Sequence, residues 1–294
     1  MKTVAIPEVT LPQLISERGL DELDRDFLVT EEVNWIPPTY AFRHAFYFVG
    51  ICTGGFGKVK FNLQEYTLRP NTLFSVTPQL ITQIAERSPD AKVSVLIFTK
   101  QFLSGKQIDS HFLDTLICFQ PDAFATISLD PSEAENLLQF FSFIKEQSAR
   151  MEHPHRKEIA KNLIISVLYE IDGLYQQQSS VLKRKLTRKE ELHKQFQDML
   201  FAHFKEERTV KFYAEALYVS PKYLMEVIKE VSGKTAGELI DEAVILEAKV
   251  LLRVPELNVS QVSDTLHFPD QSFFGKFFKK HVGVSPSEYM NLNE

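Results

Sequence analysis

The sequence predicts an α+β protein of two domains, in which an N-terminal antiparallel β-barrel with a pair of helices precedes an all-α domain. Three observations lead to this fold class. Short segments that alternate apolar and polar residues fill the region from about residue 25 to 100, which is the pattern of half-buried strands. Helical periodicity replaces them after residue 129, and the last hundred residues contain an approximate internal repeat.

Length and composition favour an ordinary globular protein. The 294 residues exceed one average domain, and 44% hydrophobic with 24% charged residues is typical of globular chains. Since no run of about 18 apolar residues and no signal-peptide pattern occurs, we expect a cytoplasmic protein with no membrane partner. Cys52 and Cys118 are too few for a disulfide framework and lack metal-ligand spacing.

The charge is unevenly distributed along the chain. The net charge is −6, which by itself argues against a nucleic-acid partner. Residues 1–182 hold 16 Lys and Arg against 22 Asp and Glu, whereas residues 183–294 hold 17 of each. The acidity therefore belongs to the N-terminal part, and the C-terminal part is electrically balanced.

The first domain, residues 1–128, is predicted from its strands. Residues 56–66, "FGKVKFNLQEY", alternate in polarity and are predicted to form one half-buried strand. Further strands are predicted at 44–52, 80–87 and 92–99, with turn signals "RPN" and "SPD" between segments. Several short strands with no helical pattern between them favour an antiparallel barrel or a sandwich.

A helical pair, residues 129–178, follows. Asp130 is the predicted N-cap of the first helix, with Pro131 at its first position and Glu133 three residues after the cap. The short "HPH" connection to the second helix predicts an antiparallel pair. The wide apolar stripe of the second helix fits either a dimer contact or packing on the barrel. The polar residues 179–186 are the predicted linker.

The repeat predicts two helix-turn-helix units in the second domain, residues 187–294. Residues 209–235 match residues 258–285 at an offset of 49, which becomes 50 after one extra residue in the second turn. Each unit reads as a short helix, a tight turn, an N-cap and a second helix ended by glycine. Between the units, residues 235–252 predict one connecting helix of 18 residues, about 27 Å long.

The second helix of each unit has an apolar and a polar face. The predicted inward stripe consists of Leu224, Val227, Ile228 and Val231 in the first unit and of Phe274, Phe277, Phe278 and Val282 in the second. Lysines are prominent on the outward faces. Successive major grooves on one face of DNA lie about 34 Å apart, and a rigid connecting helix makes it feasible for one subunit to contact both.

Residues 187–290 resemble the DNA-binding domain of the AraC-type transcription regulators. The resemblance rests on "SPKYLMEVIKEVSGKT" at 220–235, "LEAKVLL" at 246–252 and "FPDQSFFGKFFKKHVGVSPSEY" at 268–289. It implies two helix-turn-helix units on a connecting helix, and an N-terminal cupin-like sensor barrel followed by dimerisation helices. His267 stands where this family commonly has glycine, and Glu226 where a basic residue is common.

The resemblance implies a set of DNA-contacting residues. Lysine can donate to guanine, glutamate can accept from cytosine, and phenylalanine can contact a thymine methyl group. Other members of the set would mainly contact phosphate. The predicted set is Lys222, Tyr223, Met225, Glu226, Lys229, Gln271, Ser272, Phe273, Lys276, Lys279 and Lys280.

The leading functional hypothesis is a sequence-specific transcription regulator that is not an enzyme and needs no cofactor. Its expected partner is double-stranded DNA, with a small, partly apolar effector, a second copy of the chain, and RNA polymerase in the case of an activator as further candidates. One alternative is a cupin-type metalloenzyme with an accessory helical domain. The "HPH" at 153–155 resembles a metal-binding pair, but it lies between the predicted helices and outside the strands, which argues against a metal site there. Another alternative is an interaction protein that has lost DNA binding.

Overall fold

A computed structural model describes residues 11, 26–31, 41–78, 80–104, 111–120, 126–181, 187–254 and 256–291. The described residues divide into two compact units, an N-terminal unit up to residue 181 and a C-terminal unit from residue 187. The strands of the N-terminal unit are β1 (Phe27–Thr30), β2 (Ala41–Phe42), β3 (Tyr47–Gly54), β4 (Gly57–Phe61), β5 (Gln64–Leu68), β6 (Thr72–Val76), β7 (Thr82–Arg87), β8 (Lys92–Phe98) and β9 (Thr126–Ser128).

These strands form two antiparallel sheets. The first has the order β1-β8-β3-β6-β9 and the second the order β2-β7-β4-β5. The predicted antiparallel β domain is thus confirmed. Within the described ranges, however, the pairing gives two sheets and does not join them into one closed barrel.

Residues 56–66 form a hairpin, so the prediction of a single strand there is wrong. β4 and β5 pair antiparallel, with Phe61 opposite Gln64. Asn62 adopts a positive φ of 54°, which asparagine tolerates better than most residues. It is held there by Ile81, the residue before β7, because its N–H donates to the Ile81 carbonyl over 2.7 Å and its side-chain oxygen accepts from the Ile81 N–H over 3.0 Å. The chain therefore turns at Asn62, in the middle of the segment whose apolar and polar residues alternate.

The helices of the N-terminal unit pack on the first sheet. They are α1 (Lys100–Leu103), α2 (Phe112–Thr115), α3 (Pro131–Ser148) and α4 (Arg156–Val181), with a 3-10 turn at Ile117–Phe119. The capping box of α3 is confirmed, because Asp130 and Glu133 exchange hydrogen bonds. One hydrophobic core lies between this sheet and α3 and α4, and a second lies between the sheets. Packing within the unit thus uses much of the apolar stripe of α4.

The end of α4 differs from the predicted boundary. The helix continues to Val181, so residues 179–181 of the predicted linker 179–186 are helical. Residues 182–186 of that linker lie outside the described part of the chain.

The C-terminal unit is built from α5 (Arg188–His203), α6 (Val210–Ala216), α7 (Pro221–Ser232), α8 (Ala236–Leu251), α9 (Val259–Thr265), α10 (Gln271–Val282) and α11 (Pro286–Asn291). The connecting helix α8 has 16 residues, or about 24 Å, and most of them are buried. Its buried Glu247 pairs with Lys205 over 2.9 Å. Of the helices in the described ranges, none combines the length and the apolar character needed to cross a bilayer.

Candidate functional site

Helix caps fix where each helix of the two repeat units begins. Thr209 caps α6 and Asn258 caps α9, each accepting a hydrogen bond from a backbone N–H in the first turn of its helix. Ser220 caps α7 and Asp270 caps α10 in the same way. Both second helices end at a left-handed glycine, Gly233 or Gly283, which has no Cβ to oppose that conformation. The predicted double helix-turn-helix is therefore confirmed.

The two turns have the same hydrogen-bond pattern. Tyr218 N–H donates to the Glu215 carbonyl over 3.1 Å, and His267 N–H donates to the Asp264 carbonyl over 3.0 Å. Both residues have positive φ, 57° and 54° respectively, a region that glycine occupies at lower cost. Two non-glycine residues thus adopt the same strained conformation 49 positions apart, which supports the sequence repeat with an independent backbone observation.

The inward faces of α7 and α10 are mostly as predicted. Leu224, Val227 and Ile228 are buried in the first unit, and Phe274 and Phe278 in the second. The assignment of Val231 to the buried stripe is wrong, because its side chain is 36% exposed near the C-terminal end of α7. Phe277 and Val282 are only partly buried. The apolar contact of each helix is therefore strongest in its central turns.

The outward faces of both helices are open to solvent. All eleven predicted DNA-contacting residues are exposed, including apolar ones such as Phe273 at 58% and Met225 at 45%. Tyr223 and Phe273 occupy equivalent places, since each donates its backbone N–H to the N-cap side chain, Ser220 or Asp270. Side chains at equivalent places on two matched helices form one candidate surface. Their contact with DNA remains a prediction.

The two helices differ in charge. α7 carries Lys222 and Lys229 against Glu226 and Glu230, whereas α10 carries Lys276, Lys279 and Lys280 with no acidic residue. Lysine side chains attract phosphate. The attraction for a polyanion therefore comes mainly from α10.

A lysine outside the repeat lies beside α7. Lys189 of α5 pairs with Glu230 over 2.5 Å, and this hydrogen bond, aided by the negative charges of Glu230 and Glu226, raises the pKa of Lys189. Lys189 was not among the predicted contact residues, because it belongs to the basic run "KRKLTRK" at 183–189, which overlaps the predicted linker and whose charges are expected to be solvated. The capping box formed by Thr187 and Glu190 is the sequence signal that could have placed it in a helix.

A second candidate site is an apolar cavity between the two sheets of the N-terminal unit. Its volume is about 110 Å³. Aromatic rings contribute much of its lining, and Arg87, at the end of β7, is the one charged lining residue in the described part of the chain. The lining residues include Phe46, Phe48, Phe61, Phe74, Cys52 and Arg87.

His44 lies beside this cavity as a fully buried side chain. Its Nδ1 lies 2.9 Å from the Phe46 carbonyl, which an N–H there can reach as a donor, and its Nε2 lies 3.4 Å from the hydroxyl of Thr82. Burial lowers the pKa of His44 to about 4, because an imidazolium would lose its hydration. His44 is therefore a neutral core histidine near neutral pH.

The metal alternative would need a cluster of His, Cys, Asp or Glu side chains. His153 and His155 lie between α3 and α4, outside the sheets, with ring centroids 6.3 Å apart. Among the residues that the structure describes, no three His, Cys, Asp or Glu side chains are grouped so as to hold a metal ion.

The comparisons with known proteins agree with the repeat. Residues 213–291 match the family model described as a helix-turn-helix domain. The uncharacterised HTH-type transcriptional regulator YijO of Escherichia coli is 24% identical over 176 residues, 56% of this chain and 61% of that protein. YisR of Bacillus subtilis, described in the same words, is 30% identical over 90 residues, 31% of each chain.

A longer alignment also exists. The HTH-type transcriptional activator RhaS of Salmonella schwarzengrund is 23% identical over 262 residues, 84% of this chain and 85% of that protein. The chain spans about three fifths of the length of the first relative named above and under a third of the second. All three relatives named here are described as transcriptional regulators or activators. The match to the helix-turn-helix domain family therefore lies wholly within the C-terminal unit.

Proposed function

We propose that this protein is a sequence-specific DNA-binding transcription regulator that contacts successive major grooves through α7 and α10. The observation that carries the proposal is the pair of matched units. Each has the same turn geometry and a solvent-exposed outward face on its second helix. A helix of this kind fits the major groove, where base edges present distinct donor and acceptor patterns.

The exposed side chains of α7 and α10 fall into two groups, those suited to contact bases and those suited to contact phosphates. In α7, Lys222, Met225 and Glu226 would face bases, and in α10 Ser272, Phe273 and Lys276 would do so. Contacts to phosphate would come from Tyr223, Lys229, Gln271, Lys279 and Lys280. Because α10 carries lysines without acidic residues, it would supply most of the affinity that is independent of sequence. α7, with balanced charge, would contribute chiefly through base contacts.

The N-terminal unit is proposed to bind a small effector in the cavity between its sheets. The aromatic and wholly apolar lining surface favours an apolar ligand. Binding would alter regulation only if it favours one arrangement of the protein over another. Association of two copies through α3 and α4, and contact with RNA polymerase, are compatible with this scheme. The finer description of the unit as a cupin-like sensor barrel belongs to the same proposal.

The experiment that tests DNA binding uses a site chosen by the protein itself. Fragments bound by the full chain are selected from a pool of random duplexes, and the affinity for the selected site is measured by fluorescence anisotropy at fixed salt. We expect Lys276→Ala to weaken this affinity by 5- to 150-fold, which corresponds to about 1–3 kcal/mol for a base contact. Lys145→Ala, which removes an exposed charge from α3, is the matched control.

Two outcomes would contradict the proposal. If no sequence is enriched, the chain does not recognise a specific site under these conditions, and the role of an interaction protein gains support. If a site is enriched but Lys276→Ala and Lys145→Ala bind it equally well, then the outward face of α10 is not the contact surface.

A further inference from the structure

Arg208 joins the two helix-turn-helix units at a point that the sequence does not reveal. It lies just before the N-cap of α6, in the segment that leads into the first unit. Its Nη2 donates a hydrogen bond to the carbonyl of Leu266, which ends α9 in the second unit. The contact spans 58 positions along the chain and brings a cation to the carbonyl end of a helix, which favours positive charge.

The same guanidinium stacks on the turn of the second unit. Its central carbon lies 3.9 Å from the ring centroid of Phe268, a distance at which a cation attracts an aromatic face. Phe268 in turn contacts Phe274 and Phe277, with ring centroids 5.2 Å apart in each pair. Arg208 is therefore one aromatic ring away from α10.

A third element completes the contact. Burial lowers the pKa of Arg208, and the negative charge of Asp241 on α8 acts in the opposite direction. Asp241 also lies 3.5 Å from His281 of α10. Asp241 of the connecting helix thus acts on the guanidinium of Arg208 and also lies next to α10.

We propose that Arg208 is a positioning residue that fixes α10 relative to the first unit, and so sets the spacing between the two DNA segments that the protein contacts. An arginine suits this role because a planar guanidinium can stack and donate at the same time, whereas a lysine ammonium cannot reproduce both contacts. The spacing part of this inference rests on the proposed function. The fixing of α10 is independent of it.

The first test measures the geometry without DNA. Spin labels are attached to the full chain after Lys229→Cys and Lys280→Cys, both exposed positions on α7 and α10. The natural Cys52 and Cys118 are buried, so labelling is directed to the introduced sites. We expect a narrow distance distribution with Arg208 present and a broader or shifted one after Arg208→Gln and after Arg208→Lys.

A matched control and a fold check accompany this measurement. Lys211→Gln removes one positive charge from an exposed pair with Glu215 on α6 and should leave the distribution unchanged. Circular dichroism establishes that each variant keeps its helical content, and if Arg208→Gln fails to fold, Arg208→Lys carries the test. Unchanged distributions in folded Arg208 variants would overturn the proposal.

The second test measures spacing on DNA. The site selected by the unsubstituted protein is altered by inserting one or two base pairs between its two contacted segments. The proteins used in this test carry none of the cysteine substitutions of the first test. The unsubstituted protein should lose at least 10-fold in affinity on insertion, and Arg208→Lys should lose clearly less relative to its own affinity for the original site. Equal relative losses would overturn the spacing role. If no site is selected, the proposed function fails, and the label distances alone decide whether Arg208 fixes α10.

Discussion

At the scale of one residue, comparison of the two repeat units identifies Ser263 as a position where a substitution should change the stability. It lies fully buried in α9, and its hydroxyl has no hydrogen-bond partner among the described residues. The equivalent residue of the first unit, 49 positions earlier, is the buried Ala214. A buried hydroxyl without a partner costs free energy because it has lost its hydrogen bonds to water.

We therefore expect Ser263→Ala to raise the free energy of unfolding of the C-terminal unit by about 1 kcal/mol. Urea titration followed by circular dichroism measures this change. Ala214→Ser, the reverse exchange at the equivalent position, should lower the stability by a similar amount. A Ser263→Ala variant less stable than the original would mean that the hydroxyl has a partner in solution.

His44 gives the N-terminal unit a defined dependence on pH. Its pKa is about 4 in the folded protein and about 6.5 in an unfolded chain, so between these values the unfolded state binds the proton. The stabilisation is complete above pH 6.5 and is lost as the pH falls towards 4. It amounts to about 3 kcal/mol at most. Urea titrations from pH 7 to 4.5 should show this loss.

The control for this prediction separates His44 from the other titrating groups. His44→Gln should flatten the dependence of unfolding free energy on pH in this range, whereas His155→Gln, at an exposed position between α3 and α4, should leave it unchanged. A slope that persists in His44→Gln would assign the effect to other residues.

At the scale of elements, local signals predicted the helices better than the strands. Three helix starts are marked by N-cap residues, Asp130, Ser220 and Asp270, whose side chains bond to backbone N–H groups only two or three residues away. Because these contacts are local, the sequence alone predicts where the helices begin. The β4–β5 hairpin is supported by the contact of Asn62 with Ile81, 19 positions away, and Arg208 contacts Leu266 of the second repeat unit across 58 positions. Contacts between residues far apart in the sequence produce no periodic pattern of apolar and polar residues, so the sequence does not predict them. The same holds for the cavity between the sheets.

The charge difference between α7 and α10 leads to a prediction about salt. If Lys279 contacts phosphate, Lys279→Ala should weaken binding to all duplexes alike and reduce the slope of log affinity against log salt by about 1. Glu226→Gln removes a negative charge from the outward face of α7 and should strengthen binding at low salt to duplexes that lack the selected site. Anisotropy titrations at several salt concentrations measure both effects. Equal slopes for Lys279→Ala and the unsubstituted protein would place Lys279 away from the phosphates.

At the scale of the whole molecule, one strand connects the cavity with the helix that precedes the C-terminal unit. Phe74 of β6 lines the cavity, while the next residue, Ser75, points to the opposite face of the sheet, as alternation along a strand requires. The Ser75 hydroxyl lies 3.0 Å from the Tyr175 hydroxyl of α4 and donates to the Cys118 carbonyl over 2.6 Å. A displacement of Phe74 would therefore act directly on α4.

This arrangement predicts that the cavity binds small apolar molecules and that filling it abolishes binding. A dry apolar cavity of comparable size can accept a molecule such as benzene. Benzene or indole should therefore raise the melting temperature of the N-terminal unit in proportion to the logarithm of its concentration once the sites are largely occupied. Val59→Phe, at a lining position of β4, should occupy the space and remove this shift, whereas Val231→Phe on α7 should not. A shift that survives Val59→Phe would show that the probe binds elsewhere and would leave Phe74 and β6 without a role in sensing it.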